Sequence, residues 1–185
     1  MTSMPSVGSA VRVTLVGVAA VAWSAAQQPE RTPDIYFTGT PQPVVNAMLR
    51  LARVTADDVV YDLGSGDGRI VVIAAQTYGA RGVGIELQPH LVALSREVAR
   101  TGAVADKVTF IEGDLFTADI SEASVVTLWL SQGVNARLES KLRSELRPGT
   151  RIVSHQFPIG RWTPDETRHA DYDQTDLFLW IVPAR

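Results

Sequence analysis

The sequence predicts an α/β domain: a mostly parallel, seven-stranded sheet with helices on both faces and an antiparallel hairpin at its C-terminal end. Three observations predict it. Short apolar runs alternate with amphipathic stretches of ten or more residues, the pattern of parallel strands joined by helical crossovers. One run, Val59-Val60-Tyr61-Asp62-Leu63, feeds directly into Gly64-Ser65-Gly66-Asp67-Gly68 and then into a helical stretch. That is the order of strand, tight loop and helix N-terminus. The last two runs have no helix between them, so they are expected to pair as a hairpin.

Residues 1–26 stand apart from this domain. Arg12 is followed by a short apolar core and by Trp23-Ser24-Ala25-Ala26, which matches a secretory signal peptide. The apolar run is shorter than the roughly 20 residues a spanning helix needs. An uncleaved anchor and a plain N-terminal apolar segment are the alternatives. Removing residues 1–26 removes one charge, Arg12, and takes the net charge from -3 to -4. Residues 27–39 are polar and contain Pro29 and Pro33, so they read as a linker or arm. Tyr36 and Phe37 interrupt it, marking a docking point or a lid.

The domain itself is expected to span residues 40–185. Residues 41–54 predict a helix, with Val44, Val45, Met48 and Leu49 on one side and Thr40 as its cap ahead of Pro41. Strands follow at 59–63, 82–86, 108–112 and 125–130, with helices at 69–78 and 89–101. His90, Leu91, Leu94 and Val98 are the expected inner positions of the latter. A helix at 135–146 ends before Pro148-Gly149. Strands at 150–155, 168–172 and 176–182 complete the sheet.

Composition narrows the chemistry. The chain has 185 residues, 45% apolar and 20% charged, as an ordinary globular domain does. With no cysteine, disulfides, zinc-thiolate sites and a cysteine nucleophile are excluded. His90, His155 and His169 lack metal-ligand spacing, so no metal is expected. A net charge of -3 gives no electrostatic case for a nucleic-acid partner.

The glycine loop implies a nucleoside cofactor. In open α/β sheets, ligands bind at the carboxyl ends of the strands. Glu86 ends the second strand, where an acid can accept from vicinal ribose hydroxyls. Asp114 follows the third, where it can accept from an adenine amino group while Leu115 and Phe116 offer apolar surface. A dinucleotide site uses G-x-G-x-x-G. Here the spacing is G-x-G-x-G, with Asp62 before the loop and Asp67 inside it. Two carboxylates repel a pyrophosphate and suit an ammonium and a sulfonium, both carried by S-adenosylmethionine (SAM).

Asp62-Leu63-Gly64-Ser65-Gly66-Asp67-Gly68, Gly84-Ile85-Glu86 and Gly113-Asp114-Leu115 resemble the motifs of class I SAM-dependent methyltransferases with a Rossmann-like fold. Tyr36-Phe37-Thr38-Gly39-Thr40-Pro41, Pro148-Gly149-Thr150 and Ser154-His155-Gln156-Phe157 with Trp162 resemble one branch. It comprises small protein-lysine methyltransferases related to those that modify adenine nucleotide translocase and the ATP synthase c-subunit. The resemblance implies that Asp62, Gly64, Ser65, Gly66 and Gly68 line the methionine part of SAM. It implies that Glu86 holds the ribose, that Asp114 and Leu115 hold the adenine, and that Thr40 closes near the cofactor carboxylate.

The expected activity is methyl transfer to a protein lysine amine by in-line displacement. A small-molecule acceptor and a non-catalytic SAM-binding module are the alternatives. The Asn/Asp-Pro-Pro-aromatic motif of nucleobase methyltransferases is absent after the fourth strand, where the chain reads Leu128-Trp129-Leu130-Ser131-Gln132. Trp129, Ser131 and Gln132 are candidates to line an alkylammonium slot, with cation–π help from the indole. His155 is a candidate general base. The N-terminal segment makes membrane proximity or export an expectation, with a cytoplasmic location as the alternative.

Overall fold

The computed structural model describes residues 37–184. The predicted signal segment and the arm up to Tyr36 lie outside the described residues. The order is α1 (Gln42–Leu51), β1 (Val59–Leu63), α2 (Arg69–Tyr78), β2 (Arg81–Glu86), α3 (Pro89–Thr101), β3 (Val108–Glu112), β4 (Val125–Leu128), α4 (Gln132–Glu145), β5 (Arg151–His155), β6 (Glu166–His169) and β7 (Asp176–Ile181). The seven strands form one sheet in the order β3-β2-β1-β4-β5-β7-β6. Strands β1 to β5 are parallel. β7 runs antiparallel between β5 and β6. Strand order reverses at β1, between β2 and β4, so the crevice at the carboxyl ends there is the expected ligand site.

Alternation along the strands divides the core into two layers. Val60, Val125 and Val153 face α1, α2 and the buried side of α3. Tyr61, Leu63, Val126 and Ile152 face α4 through Val134, Leu138 and Leu142. All five β1 residues are buried, as a central strand covered on both faces requires.

Several local expectations are corrected. Thr40 does not cap α1: Pro41 is the N-cap, without a side-chain bond, and Pro43 lies in the first turn. β4 stops at Leu128, not at residue 130. α4 starts at Gln132 because Ser131 caps it, its Oγ accepting from Val134 N at 3.3 Å. On α3 the buried positions are Leu91, Val92, Ser95 and Ala99, while His90 and Leu94 face solvent. The small Ser95 is needed there: a Cβ at Gly68 would lie 2.8 Å from the Ser95 Cβ, so α3 meets the glycine loop closely. β6 occupies residues 166–169, because Ala170 begins a turn closed by its N–H donating to Thr175 O at 2.8 Å.

Candidate active site

Gly64, Gly66 and Gly68 have φ of 78°, 54° and 76°, a left-handed backbone that glycine adopts without strain. The loop turns back on β2: Gly64 N and Ser65 N both donate to Ile85 O, at 2.9 and 3.0 Å. Gly66 N donates to Glu86 Oε2 at 2.9 Å, and Gln88 N donates to Oε1 at 2.9 Å. The Glu86 carboxylate is thereby fixed at the end of β2 while each oxygen keeps a further lone pair.

The loop floors a cavity of about 300 Å³, a volume suited to a small ligand. Thr40, Asp62, Gly64, Ser65, Glu86, Asp114, Leu115 and Trp129 all line it. Gly66 and Gly68 shape the loop without lining the cavity. Asp114 Oδ1 accepts from Phe116 N at 2.9 Å, which sets the turn that exposes Leu115 and Phe116 to the cavity. The Arg137 guanidinium stacks 3.9 Å over the Phe116 ring.

Asp62 is 3% exposed and accepts from Thr127 Oγ1 at 2.7 Å. Burial, with the Glu86 and Asp67 carboxylates adding to it, pushes its pKa up to about 7. Asp67 does not act as the second free carboxylate that the loop sequence implied. Arg69 grips it, with Nη2 to Oδ2 at 2.6 Å and Nε to Oδ1 at 2.9 Å. Arg69 Nη1 also donates to Thr40 O at 3.0 Å, tying the arm to the loop. The reading of the loop as doubly acidic therefore shifts to Asp62 and Glu86.

Phe37 and Thr38 complete the arm's wall of the cavity. Phe37 is 43% exposed, yet its ring covers Gly66 so closely that a Cβ there would lie 2.3 Å from it. Gly66→Ala is expected to cost about 1–2 kcal/mol from the left-handed φ alone and to unseat Phe37. Chemical denaturation and tryptic cleavage of the arm check it.

Trp129, Gln156 and Phe157 also line the cavity. Gln156 has φ 68°, a costly backbone for glutamine that is characteristic of functional loops. Sequence reasoning passed over Arg69, Gln156 and Phe157 as site residues. Ser131 and His155 do not line the cavity. His155 lies behind Trp129, with ring centroids 5.1 Å apart. Among the described residues no group of His, Asp and Glu is placed to hold a metal ion.

These residues fit SAM. The Ser65 hydroxyl is buried on the cavity wall with no hydrogen-bond partner in the described residues, which calls for a polar ligand. Asp62 and Glu86 favour a cation and hydroxyl donors over a phosphate. Fold and cavity together define a class I SAM-dependent methyltransferase.

The profile of the ANTKMT methyltransferase domain matches residues 62–166. The chain is 42% identical over 153 residues to a protein-lysine N-methyltransferase of Saccharolobus islandicus, covering 81% of this chain and 95% of that one. It is 39% identical over 123 residues to the ATP synthase c-subunit lysine N-methyltransferase of Mus musculus, covering 66% of this chain and 49% of the mouse protein. The chain thus spans about half the length of that relative. Among solved structures, one described as an RNA methyltransferase from Salinibacter ruber with S-adenosyl-L-homocysteine superposes with a TM-score of 0.77 at 54% identity. It covers 80% of this chain and 95% of that one. The chain belongs to the ANTKMT methyltransferase domain family.

Proposed function

We propose that residues 40–185 form a methyltransferase domain that transfers a methyl group from SAM to a protein lysine amine. The observation that carries this reading is the 42% identity to a protein-lysine N-methyltransferase over 95% of its length. The cavity supports it, because the cofactor loop faces a half-buried tryptophan.

Asp62, Gly64 and Ser65 hold the methionine part of the cofactor, with Asp62 opposing its positive charge, and Gly66 and Gly68 give the loop its shape behind them. Glu86 accepts from the ribose hydroxyls. Asp114 and Leu115 hold the adenine beside Phe116. Thr40, latched through Arg69, closes the carboxylate end. When bound, SAM supplies a methyl group activated by a sulfonium. The chain supplies proximity and alignment, a slot that desolvates the incoming amine, and the Trp129 face for the alkylammonium. Ser131 shapes this wall as the cap of α4.

RNA is the second reading, favoured by the name of the Salinibacter ruber structure. A net charge of -3 and a pI near 5.6 weigh against it. Purified protein incubated with methyl-labelled SAM and cell lysate separates the two. Label recovered as methyl-lysine from acid-hydrolysed protein is the expected result. Label confined to RNA or to small molecules overturns the lysine reading. Sequencing the mature N-terminus of the protein from fractionated cells checks the export signal and membrane proximity expected of residues 1–26.

A further inference from the structure

The turn between β6 and β7 reaches back to the acceptor wall through an ordered chain of hydrogen bonds. Thr175 Oγ1 donates to Asp173 Oδ1 at 2.6 Å, and Thr175 N donates to the same oxygen at 3.1 Å. A hydroxyl has one proton. With that proton directed at the Asp173 carboxylate, Thr175 Oγ1 meets His155 Nε2, 2.7 Å away, only as an acceptor. Nε2 therefore carries hydrogen. A neutral imidazole has a single N–H, so Nδ1 holds a bare lone pair.

That lone pair has no partner. His155 is 2% exposed, and its Nδ1 is buried without a hydrogen bond among the described residues. Asp173, with Oδ2 3.9 Å from Nε2, is the charged group beside the ring. The other neighbouring acid, Asp176, is engaged by His169 at 2.8 Å. On β7 the residue opposite His155 is Leu177. α1 turns the apolar Val44, Val45 and Met48 toward this layer. The β4 side contributes the uncharged Trp129 indole. Burial lowers the histidine pKa below its usual value, against a smaller opposing effect of Asp173, so the ring is neutral at pH 7.

We propose that Asp173 and Thr175 are positioning residues that hold His155 as its Nε2–H tautomer, leaving Nδ1 to take a proton from the methyl-acceptor amine. This rests on the lysine reading. For this step the Trp129 indole, which lies against the imidazole, turns aside so that the amine packed on its face meets Nδ1. One N–H bond of the ammonium breaks, its electron pair stays on nitrogen as the nucleophile, and the proton goes to Nδ1. Asp173, through Thr175, stabilises the imidazolium until the proton leaves to solvent.

The first test needs no acceptor. In 15N spectra of histidine-labelled protein at pH 7.5, with Nδ1 and Nε2 assigned through His155→Gln, His155 is expected as the Nε2–H tautomer. Thr175→Val should mix the tautomers while calorimetric SAM affinity stays within about twofold. A wild-type ring protonated at Nδ1, or a Thr175→Val spectrum that is unchanged, overturns the positioning role. Adding n-butylammonium to the S-adenosylhomocysteine complex should move the Nδ1 resonance; no movement overturns the acceptor role. Methyl-lysine formation on lysate protein gives the kinetic check. The wild-type rate should level off above about pH 7, whereas His155→Gln should still rise, up to about tenfold per pH unit, and Asp173→Asn should level off at a lower pH and a lower plateau. Identical profiles count against the relay. Absence of methyl-lysine with any variant counts against the lysine reading, while the tautomer result stands by itself.

Discussion

Glu86→Ala is expected to weaken SAM binding by about 100-fold or more. The carboxylate has two tasks that fail together. In the proposed complex it accepts from the ribose diol, and hydrogen bonds to a charged acceptor contribute about 1.5–3 kcal/mol each. It also holds Gly66 N and Gln88 N at 2.9 Å, and its removal leaves both amides without that acceptor. A loss of about 2.8 kcal/mol corresponds to about a 100-fold weaker Kd. Glu86→Gln keeps one acceptor oxygen and should fall between, near about tenfold. Calorimetry with SAM on the purified protein reads both values. A Glu86→Ala Kd within about twofold of wild type would remove Glu86 from the cofactor site.

The parts of the site legible in the sequence are those that the backbone builds. The β1 apolar run, the glycine spacing and the acids closing β2 and following β3 are local signals, and the cavity gathers Asp62, Gly64, Glu86 and Asp114 around one space. What escaped is set by tertiary contacts. Asp67 read as an open carboxylate because nothing local distinguishes an acid facing a ligand from one held by an arginine two residues on. Arg69 read as the start of a helix, although its guanidinium joins the loop to Thr40. Ser131 read as a slot residue beside Trp129. Its hydroxyl satisfies an orphan amide of the first turn of α4, and that cap was hidden because the helix was expected three residues later. Gln156 carries no turn signal, so its left-handed backbone is imposed by β7, where Asp176 O accepts from Gln156 N at 2.7 Å.

The same distinction governs the strands. β1 and β3, and the helices α2 and α3, match their expected bounds because apolar runs and glycine stops delimit them. β4 was expected to continue through Trp129 and Leu130, since both are apolar. Its ladder with β1 and β5 ends at Leu128, and release from the sheet lets Trp129 turn to the cavity. Hydrophobicity fixed burial there, while hydrogen-bond pairing fixed the end of the strand.

Asp62→Asn is expected to stabilise the cofactor-free protein and to cripple cofactor binding. The wild-type carboxyl titrates near 7 in the fold, against the 3.8 usual for an aspartate in water. The folded state thus binds the proton more tightly than the unfolded chain. Stability from this group is full below about pH 3.8 and is lost progressively as pH rises toward 7, at up to about 1.4 kcal/mol per pH unit. An asparagine keeps an oxygen for Thr127 and has no charge to bury, so the variant should melt higher than wild type above pH 7. That difference should shrink as pH falls toward 4. Binding shows the opposite preference: a cationic ligand favours ionised Asp62 and releases its proton. Wild-type affinity for SAM should therefore be more than about tenfold tighter at pH 7.5 than at pH 5.5, a window below the α-amino pKa of about 7.7–8.0. Calorimetry in two buffers of different ionisation enthalpy should detect the released proton. Asp62→Asn should bind weakly with no such slope. A variant that melts no higher at pH 8, or a wild-type affinity flat across the window, would show that Asp62 keeps an ordinary carboxylate pKa and is ionised throughout the window. Stability and affinity should move apart here because the fold withholds solvent from the carboxylate that, in the proposed complex, meets the positive charge of SAM.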